Sequence, residues 1–333
     1  MINLPDEFIS IITNTFGEDG EALIANLPIL IDEASQRWGL TDVKPVSNLS
    51  YNFVAFANRK DKEVALKIGV PRDELTSEIA ALRLFNGEGA CQLIDADEER
   101  GFLLLERLRP GEMLSTLEDD EEATHIAAEV MKKIWRPLDD VTFPKEHRGD
   151  VSRPAAKSPA DDSRDPSLSL RMTDNKFIKL TNWFDGLNRL REMFNGGTGP
   201  LDEKLVERVE HSVKEFFSEN HMPVLMHGDF HHFNILSSER GWLVIDPKGV
   251  IGPAGYEVGP FMMNPWGSLS DGVSNRLIQR RVDILHEHLG WERERILEWS
   301  LAHAVLSTWW SIEDNTGWEY GLESANLIAK LPR

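Results

Sequence analysis

Apolar residues in the first hundred positions change from helical to strand-like spacing. Residues 5–39 carry apolar side chains three and four positions apart, which predicts two amphipathic helices ending near Gly39. From Val43 onward the pattern predicts strands over residues 51–57 and 63–68, joined by a polar turn. A helix beginning near residue 73 and a hairpin of two further strands, residues 91–97 and 101–106, complete this strand-rich part.

Helical spacing dominates the rest of the chain. It predicts helices over residues 121–138, 183–194, 201–217, 271–288 and 291–314, and a last amphipathic segment that ends near Leu331. Residues 139–175 are rich in Pro, Ser and Asp and show no apolar period. We interpret them as a long loop insert, either a lid over a substrate or a tolerated surface insertion.

Composition narrows the functional classes. The chain has 333 residues, of which 41% are hydrophobic and 28% charged, enough for a substantial core. A single cysteine excludes a disulfide framework, and neither a signal peptide nor an apolar stretch of membrane length is visible, so we predict a cytoplasmic protein without membrane contact. The net charge of −20 argues against nucleic-acid binding and favours a cationic small molecule. Nothing in the sequence indicates the oligomeric state.

The strongest chemical pattern lies in residues 225–249, which read LMHGDFHHFNILSSERGWLVIDPKG. Two short apolar runs separated by polar residues predict strand, loop, strand, loop. The first loop carries His227 and Asp229, Asn234 follows Asp229 by five residues, and Asp246 ends the second strand. An aspartate, an asparagine and a later aspartate in this order serve in kinases as the base and the two magnesium ligands.

The sequence HGDFHHFN resembles the catalytic loop of the aminoglycoside phosphotransferase and choline kinase group. IDPKG with the following GPAGYEVG is similar, more specifically, to the streptomycin 6-kinase and hydroxyurea-type antibiotic resistance kinases. The resemblance extends from about Asp42 to the C-terminus. It implies an α+β, two-lobe protein-kinase-like fold, with an antiparallel-sheet lobe at residues 1–110 and a larger, mainly helical lobe at residues 111–333.

The resemblance also implies the chemistry. ATP would donate its γ-phosphoryl group to a hydroxyl of a small molecule, with Mg²⁺ bound by Asn234 and Asp246. Asp229 would orient the hydroxyl and accept its proton, and His227 would support the loop by hydrogen bonding. Glu257 would either anchor the loop after the metal site or lie on the surface.

Nucleotide contacts are expected in the lobe formed by residues 1–110. Val64-Ala65-Leu66-Lys67 is similar to the kinase strand whose lysine binds the α- and β-phosphates and pairs with a helix glutamate. Of the two candidate acids we choose Glu78, because Glu74 lies in the first helical turn, where the helix dipole already favours an acid. Further contacts are expected from two short segments. The polar turn that replaces the usual glycine loop offers Ser47, Asn48 and Ser50, and the hinge offers the backbone of Glu106 and Leu108.

The acceptor site is expected on the helix over residues 291–314. Trp309, Trp310, Glu313 and Asp314 combine aromatic rings with carboxylates. Rings stack on the apolar side of a cationic sugar, and acids pair with its ammonium groups. We therefore predict an aminoglycoside-like cation as the acceptor.

Other functions remain open at this stage. A kinase of a small metabolite, such as an amino sugar or a choline-like compound, fits the same motifs. His227, Asp229 and His231, with His232 beside them, offer nitrogen and oxygen atoms of the kind that bind zinc in hydrolases. A protein kinase is disfavoured by the short stretch between Asp246 and Glu257. A nucleotide-binding module without catalysis is disfavoured by the intact catalytic residues.

Overall fold

The computed structural model describes residues 4–138, 176–219, 222–265 and 274–332, so the predicted insert over 139–175 lies outside the described residues. The chain begins with two helices, α1 (Asp6–Phe16) and α2 (Glu18–Trp38). They meet at Gly17, whose φ of 57° turns the chain between them. Helix α2 is capped by Gly39, where a φ of 65° and a bond from its N–H to Ser35 O close the last turn.

A five-stranded antiparallel sheet follows these helices. Its strands are β1 (Leu40–Pro45), β2 (Phe53–Arg59), β3 (Lys62–Ile68), β4 (Leu93–Asp97) and β5 (Phe102–Glu106). Their order across the sheet is β1-β2-β3-β5-β4. Helix α3 (Asp73–Phe85) connects β3 to β4. The second strand begins at Phe53 and the fourth at Leu93, each two residues later than predicted.

Alternation along β3 assigns its side chains to two layers. Val64, Leu66 and Ile68 pack into a core formed with α1 and α2, whereas Ala65 belongs to the main core on the other face. Lys67 follows the same alternation as Ala65 and therefore leaves the sheet toward α3. The two-residue period of the strand thus places one lysine in the interior between the sheet and the rest of the molecule.

Most of the remaining described chain is helical. The helices are α4 (Asp120–Ile134), α5 (Leu180–Phe184), α6 (Gly186–Met193), α7 (Glu203–Ser218), α8 (Val258–Met262), α9 (Ser274–Leu289), α10 (Arg293–Glu313) and α11 (Glu319–Ala329). Helix α10 is buried along most of its length and packs against α7, α8 and α11. No described helix is long and apolar enough to cross a membrane.

Two predicted helices differ most from those in the structure. Helix α4 ends at Ile134 rather than at residue 138, because a residue preceding proline is disfavoured in the helical region and Arg136 precedes Pro137. Arg136 and Pro137 instead form strand β7, paired with the strand before the catalytic loop. The helix predicted over residues 183–194 is two helices, with Gly186 at the start of the second.

Short strands hold the segment that carries the catalytic motif. They are β6 (Pro110–Met113), β8 (Ile178–Lys179), β9 (Val224–Met226), β10 (Ile235–Ser238), β11 (Gly241–Val244) and β12 (Val250–Gly252). Strand β9 ends immediately before His227, β10 begins immediately after Asn234, and β11 ends two residues before Asp246. The predicted α+β organisation, an antiparallel sheet followed by a larger helical part, is confirmed.

Candidate active site

His227 stabilises the start of the catalytic loop through both ring nitrogens. Its Nε2 donates to Ile245 O at 2.8 Å, and its Nδ1 accepts from the Asp229 N–H at 3.1 Å. Burial lowers the pKa of His227 to about 4, so the ring is neutral at neutral pH. Because both nitrogens already have backbone partners, His227 has no free lone pair for a metal.

The Glu257 side chain anchors the same loop through hydrogen bonds to its backbone. Its two carboxylate oxygens accept hydrogen bonds from the N–H groups of His227, at 2.8 Å, and Gly228, at 2.9 Å. The residue is fully buried, and burial raises the pKa of its carboxyl to about 7 against the lowering effect of these two bonds. The sequence left open whether Glu257 anchors the loop or lies on the surface. In the structure Glu257 is buried and anchors the loop.

Asp229 and Asn234 face one another across the loop. The Asn234 side-chain amide donates to Asp229 O at 3.0 Å, which leaves the Asn234 amide oxygen available as a ligand. The Asp229 side chain is 40% exposed, and its Oδ1 lies 3.5 Å from His231 Nε2. Burial acts to raise the pKa of Asp229, but the hydrogen bond and charge of His231 outweigh it and hold the pKa below the ordinary range. The carboxylate is therefore ionised at neutral pH.

Lys67 lies between two carboxylates. Its Nζ is 2.7 and 2.8 Å from the two Glu78 oxygens and 3.2 Å from Asp246 Oδ1. Burial opposes the charge on Lys67, but Asp246 and Glu78 outweigh it and raise the pKa of the ammonium group. Asp246 has a left-handed backbone, with φ of 56°, and a side chain that is 42% exposed. The other candidate acid, Glu74, pairs with Lys248 instead.

One cleft of about 1380 Å³ is lined by Lys67, Glu78, Asp229, Asn234 and Asp246. Ser47, Asn48 and Ser50 line it from the loop between β1 and β2, and Glu106 and Leu108 line it from the end of β5. The Glu106 N–H donates to Gln92 O at 2.9 Å, so this amide is not available to a nucleotide base. The predicted hinge contact therefore does not involve the Glu106 amide, because this amide completes the pairing of β5 with the chain before β4.

The four residues predicted to bind the acceptor separate onto two faces of α10. Trp310 and Asp314 line the cleft, together with Ser307 and Ser311. Trp309 is 1% exposed, and the five-membered part of its indole ring would lie 2.7 Å from a Cβ at Gly186. Glu313 pairs with Arg189 at 2.8 Å, outside the cleft.

Helical geometry explains this separation. Residues four apart share one helix face, so Trp310 lies with Asp314 and Trp309 lies with Glu313. The prediction that all four residues form one surface is therefore wrong for Trp309 and Glu313. The same four-residue spacing in the sequence could have separated the two pairs.

Several cleft residues have no signal in the local sequence. Trp183 contacts Trp310 edge to face, with ring centroids 5.3 Å apart, and Tyr320 also lines the cleft. His303 also lines it and shares a hydrogen bond with the Tyr256 hydroxyl, its Nδ1 2.9 Å from that oxygen. Burial lowers the pKa of His303 to about 4, so its ring carries no positive charge at neutral pH. These residues come from distant parts of the chain and meet only in the folded protein.

The His and Asp side chains of the catalytic loop do not form a zinc site. His232 is buried and stacks on Phe261 with ring centroids 4.3 Å apart. Among the residues described by the structure, no three His, Cys, Asp or Glu side chains form a group that could hold a metal ion. The Asn234 amide oxygen and the Asp246 carboxylate fit magnesium better, since this ion is commonly bound by one or two protein oxygens together with substrate phosphates.

The fold and the residues of the cleft define the class of protein. An antiparallel sheet bearing a Lys–Glu ion pair, followed by a helical part bearing Asp229, Asn234 and Asp246, is the organisation of the protein-kinase-like phosphotransferases. Solved structures support this fold. A choline kinase from Streptococcus pneumoniae aligns with a TM-score of 0.56 at 13% identity, over 91% of this chain and 97% of that one. An aminoglycoside phosphotransferase in a ternary complex with ADP and hygromycin B aligns with a TM-score of 0.55 at 12% identity, over 90% and 96%.

Sequence comparison identifies the family. The family model described as "Aminoglycoside/hydroxyurea antibiotic resistance kinase" matches residues 37–153 and 173–315. A streptomycin 6-kinase from Streptomyces griseus is 31% identical over 94% of this chain and 92% of its own length. A hydroxyurea phosphotransferase from Kitasatospora aureofaciens is 30% identical over 94% of this chain and 82% of its own. The chain belongs to the aminoglycoside/hydroxyurea antibiotic resistance kinase family and is a phosphotransferase.

Proposed function

We propose that this protein transfers the γ-phosphoryl group of ATP to a hydroxyl group of a small cationic acceptor of the aminoglycoside type. The observation that carries the proposal is the convergence of Asp229, Asn234, Asp246 and the Lys67–Glu78 pair on one cleft. Phosphoryl transfer depends mainly on positioning and on charge stabilisation, and these residues supply both.

The nucleotide would occupy the side of the cleft nearest the sheet. Lys67, oriented by Glu78, would bind the phosphates, with further contacts from Ser47, Asn48 and Ser50. The base would lie near Glu106 and Leu108, which line this part of the cleft, without using the Glu106 amide. Asn234 and Asp246 would hold magnesium through oxygen ligands. The bound ion would neutralise part of the negative charge of the phosphates.

Asp229 would act on the acceptor. The oxygen of the acceptor hydroxyl forms a bond to the γ-phosphorus, while the bond from that phosphorus to the oxygen bridging it to the β-phosphate breaks. ADP leaves with the bonding electrons, and the hydroxyl proton passes to the Asp229 carboxylate. The low pKa of Asp229 keeps it ionised, so it can orient the hydroxyl before it accepts the proton. His227 and Glu257 would hold Asp229 in place.

The acceptor would bind where Trp310 and Asp314 meet Trp183 and Tyr320. The aromatic rings offer flat surfaces for a sugar, and Asp314 offers a charge for an ammonium group. The neutral ring of His303 adds no repulsion, and the net charge of −20 favours a cation at longer range. The cleft volume of about 1380 Å³ exceeds the common range for one drug-sized ligand, about 300–1,000 Å³, and therefore has room for a nucleotide and a sizeable acceptor.

The test is a screen of acceptors with Mg-ATP. Streptomycin, hydroxyurea, choline, an amino sugar and a neutral sugar are each incubated with the protein. ADP release is followed in a coupled assay, and the phosphorylated product is identified by mass spectrometry. We expect turnover with the aminoglycoside well above the rate without acceptor. Turnover confined to hydroxyurea or to neutral sugars would reject the cationic acceptor. A protein that binds ATP but phosphorylates none of the five would reject the whole acceptor proposal.

A further inference from the structure

Lys248 occupies a fixed position beside the catalytic residues. It lies on the loop between β11 and β12, lines the cleft with Asp229 and Asp246, and donates its backbone N–H to His227 O at 2.8 Å. The next residue, Gly249, accepts a bond from Ser77 Oγ of α3 at 2.9 Å. A Cβ at Gly249 would lie 2.7 Å from the Ser77 carbonyl oxygen, so no side chain fits there. The loop is thus fixed between the catalytic loop and α3, and Lys248 projects from it.

The Lys248 ammonium group adds a positive charge to this end of the cleft. It forms an ion pair with Glu74 on α3, and the two side chains are 35% and 53% exposed. The ammonium group interacts with the charges of Glu74 and Asp229. Its charge in turn helps to keep Asp229 ionised, after the larger effect of His231.

We propose that Lys248 binds the γ-phosphate of ATP and stabilises its negative charge during transfer. This inference rests on the proposed function, in which the donor phosphates lie beside Lys67 and Asp246 and the acceptor hydroxyl lies beside Asp229. Lys248 lines the cleft with all three, and the phosphoryl group passes between donor and acceptor there. The proton and electron balance is unchanged, because Lys248 remains protonated and the hydroxyl proton still passes to Asp229.

The ion-pair partners of Lys67 and Lys248 differ, and this difference supports different roles for the two lysines. Lys67 is buried between Glu78 and Asp246, so two carboxylates already offset its charge. Lys248 pairs with the half-exposed Glu74, and exposed ion pairs of this kind are weak. Exchanging that carboxylate for a phosphate oxygen therefore costs little. A cation that contacts the transferring group in phosphotransferases contributes more to the rate than to ground-state binding.

The test compares affinities for ADP and for a non-hydrolysable β,γ-imido analogue of ATP, and measures kcat with the best acceptor. Lys248→Met is expected to reduce the preference for the analogue over ADP about tenfold and kcat by about 10²-fold or more, because the loss of one charged donor at the transition state has effects of this size. ADP affinity should stay within about threefold of wild type. Lys204→Met, at an exposed position on α7, is the control and should change none of these values.

Glu74→Gln separates phosphate binding from a structural role, since it removes the same ion pair but keeps the ammonium group. We expect it to retain the preference for the analogue and a kcat within a few-fold of wild type. If Glu74→Gln reproduces the loss seen in Lys248→Met, or if Lys248→Met keeps the preference, Lys248 does not bind the γ-phosphate. The affinity measurements need no acceptor, so failure of the acceptor screen would reject the proposed function and still leave this inference decided.

Discussion

Glu257 offers a sharp test of how the catalytic loop is held. Glu257→Ala removes the acceptor of two backbone N–H groups, those of His227 and Gly228, at 2.8 and 2.9 Å. Each buried N–H left without a partner costs about 1–3 kcal/mol, which gives about 2–6 kcal/mol for the two. Burial already disfavours the carboxylate, as its raised pKa of about 7 shows. Its removal therefore returns part of that cost, and we expect a loss of about 2–4 kcal/mol in the free energy of unfolding.

The same substitution should reduce catalysis. The N–H of His227 is two residues from Asp229, so loss of the anchor allows the loop to shift, and a displacement of about 1 Å can cost about 10²-fold in rate. Urea unfolding gives the stability change, and steady-state kinetics with the best acceptor give kcat.

Two further variants serve as controls for Glu257→Ala. Glu257→Gln keeps one acceptor oxygen and should lose about half as much stability. Glu207→Ala, at an exposed position on α7, should stay within about 0.5 kcal/mol of wild type. If Glu257→Ala unfolds within about 1 kcal/mol of wild type and keeps its kcat, the two hydrogen bonds do not position the loop, and the reasoning is refuted.

Four further substitutions and one control variant test the assigned roles. Asp229→Asn keeps the shape but cannot accept a proton, so transfer should fall by about 10²–10⁴-fold while ATP affinity is retained, and turnover within a few-fold of wild type would disprove the base assignment. Asp246→Ala should abolish the magnesium dependence of ATP binding, whereas Lys67→Ala should weaken binding both with magnesium and with EDTA. If both variants bind ATP with wild-type affinity, with magnesium and with EDTA, the result would argue against this nucleotide site. Asp314→Asn should weaken acceptor binding about tenfold with ATP affinity unchanged, as expected for loss of one ion pair in a partly desolvated site. Its neighbour Glu313→Gln, which faces Arg189, should leave acceptor affinity unaltered, and equal effects of the two variants would reject the division of α10 into two faces.

The sequence by itself determined those features that depend on local spacing. Alternation along residues 64–68 determines that Lys67 and Ala65 share a face of the sheet, and the order of Asp229, Asn234 and Asp246 along one strand-loop-strand segment brings them to one end of it. Helical periodicity likewise predicted most of the helices. These features follow from the two-residue and 3.6-residue periods of strands and helices, which are properties of the backbone.

Tertiary structure decided everything that depends on contacts between distant segments. The sequence favoured Glu78 over Glu74 as the partner of Lys67. The contact itself, and the pairing of Lys248 with Glu74, follow from how α3 packs against the loop that Ser77 holds at Gly249. Likewise, the complete burial of Glu257 against the catalytic loop depends on tertiary packing. Trp309 and Trp310 are adjacent and chemically identical. What surrounds each ring, Gly186 and Arg189 for one and Trp183 for the other, makes the first a core residue and the second a wall of the cleft. Burial and pairing energies depend on neighbours that are remote in sequence, and no local pattern encodes them.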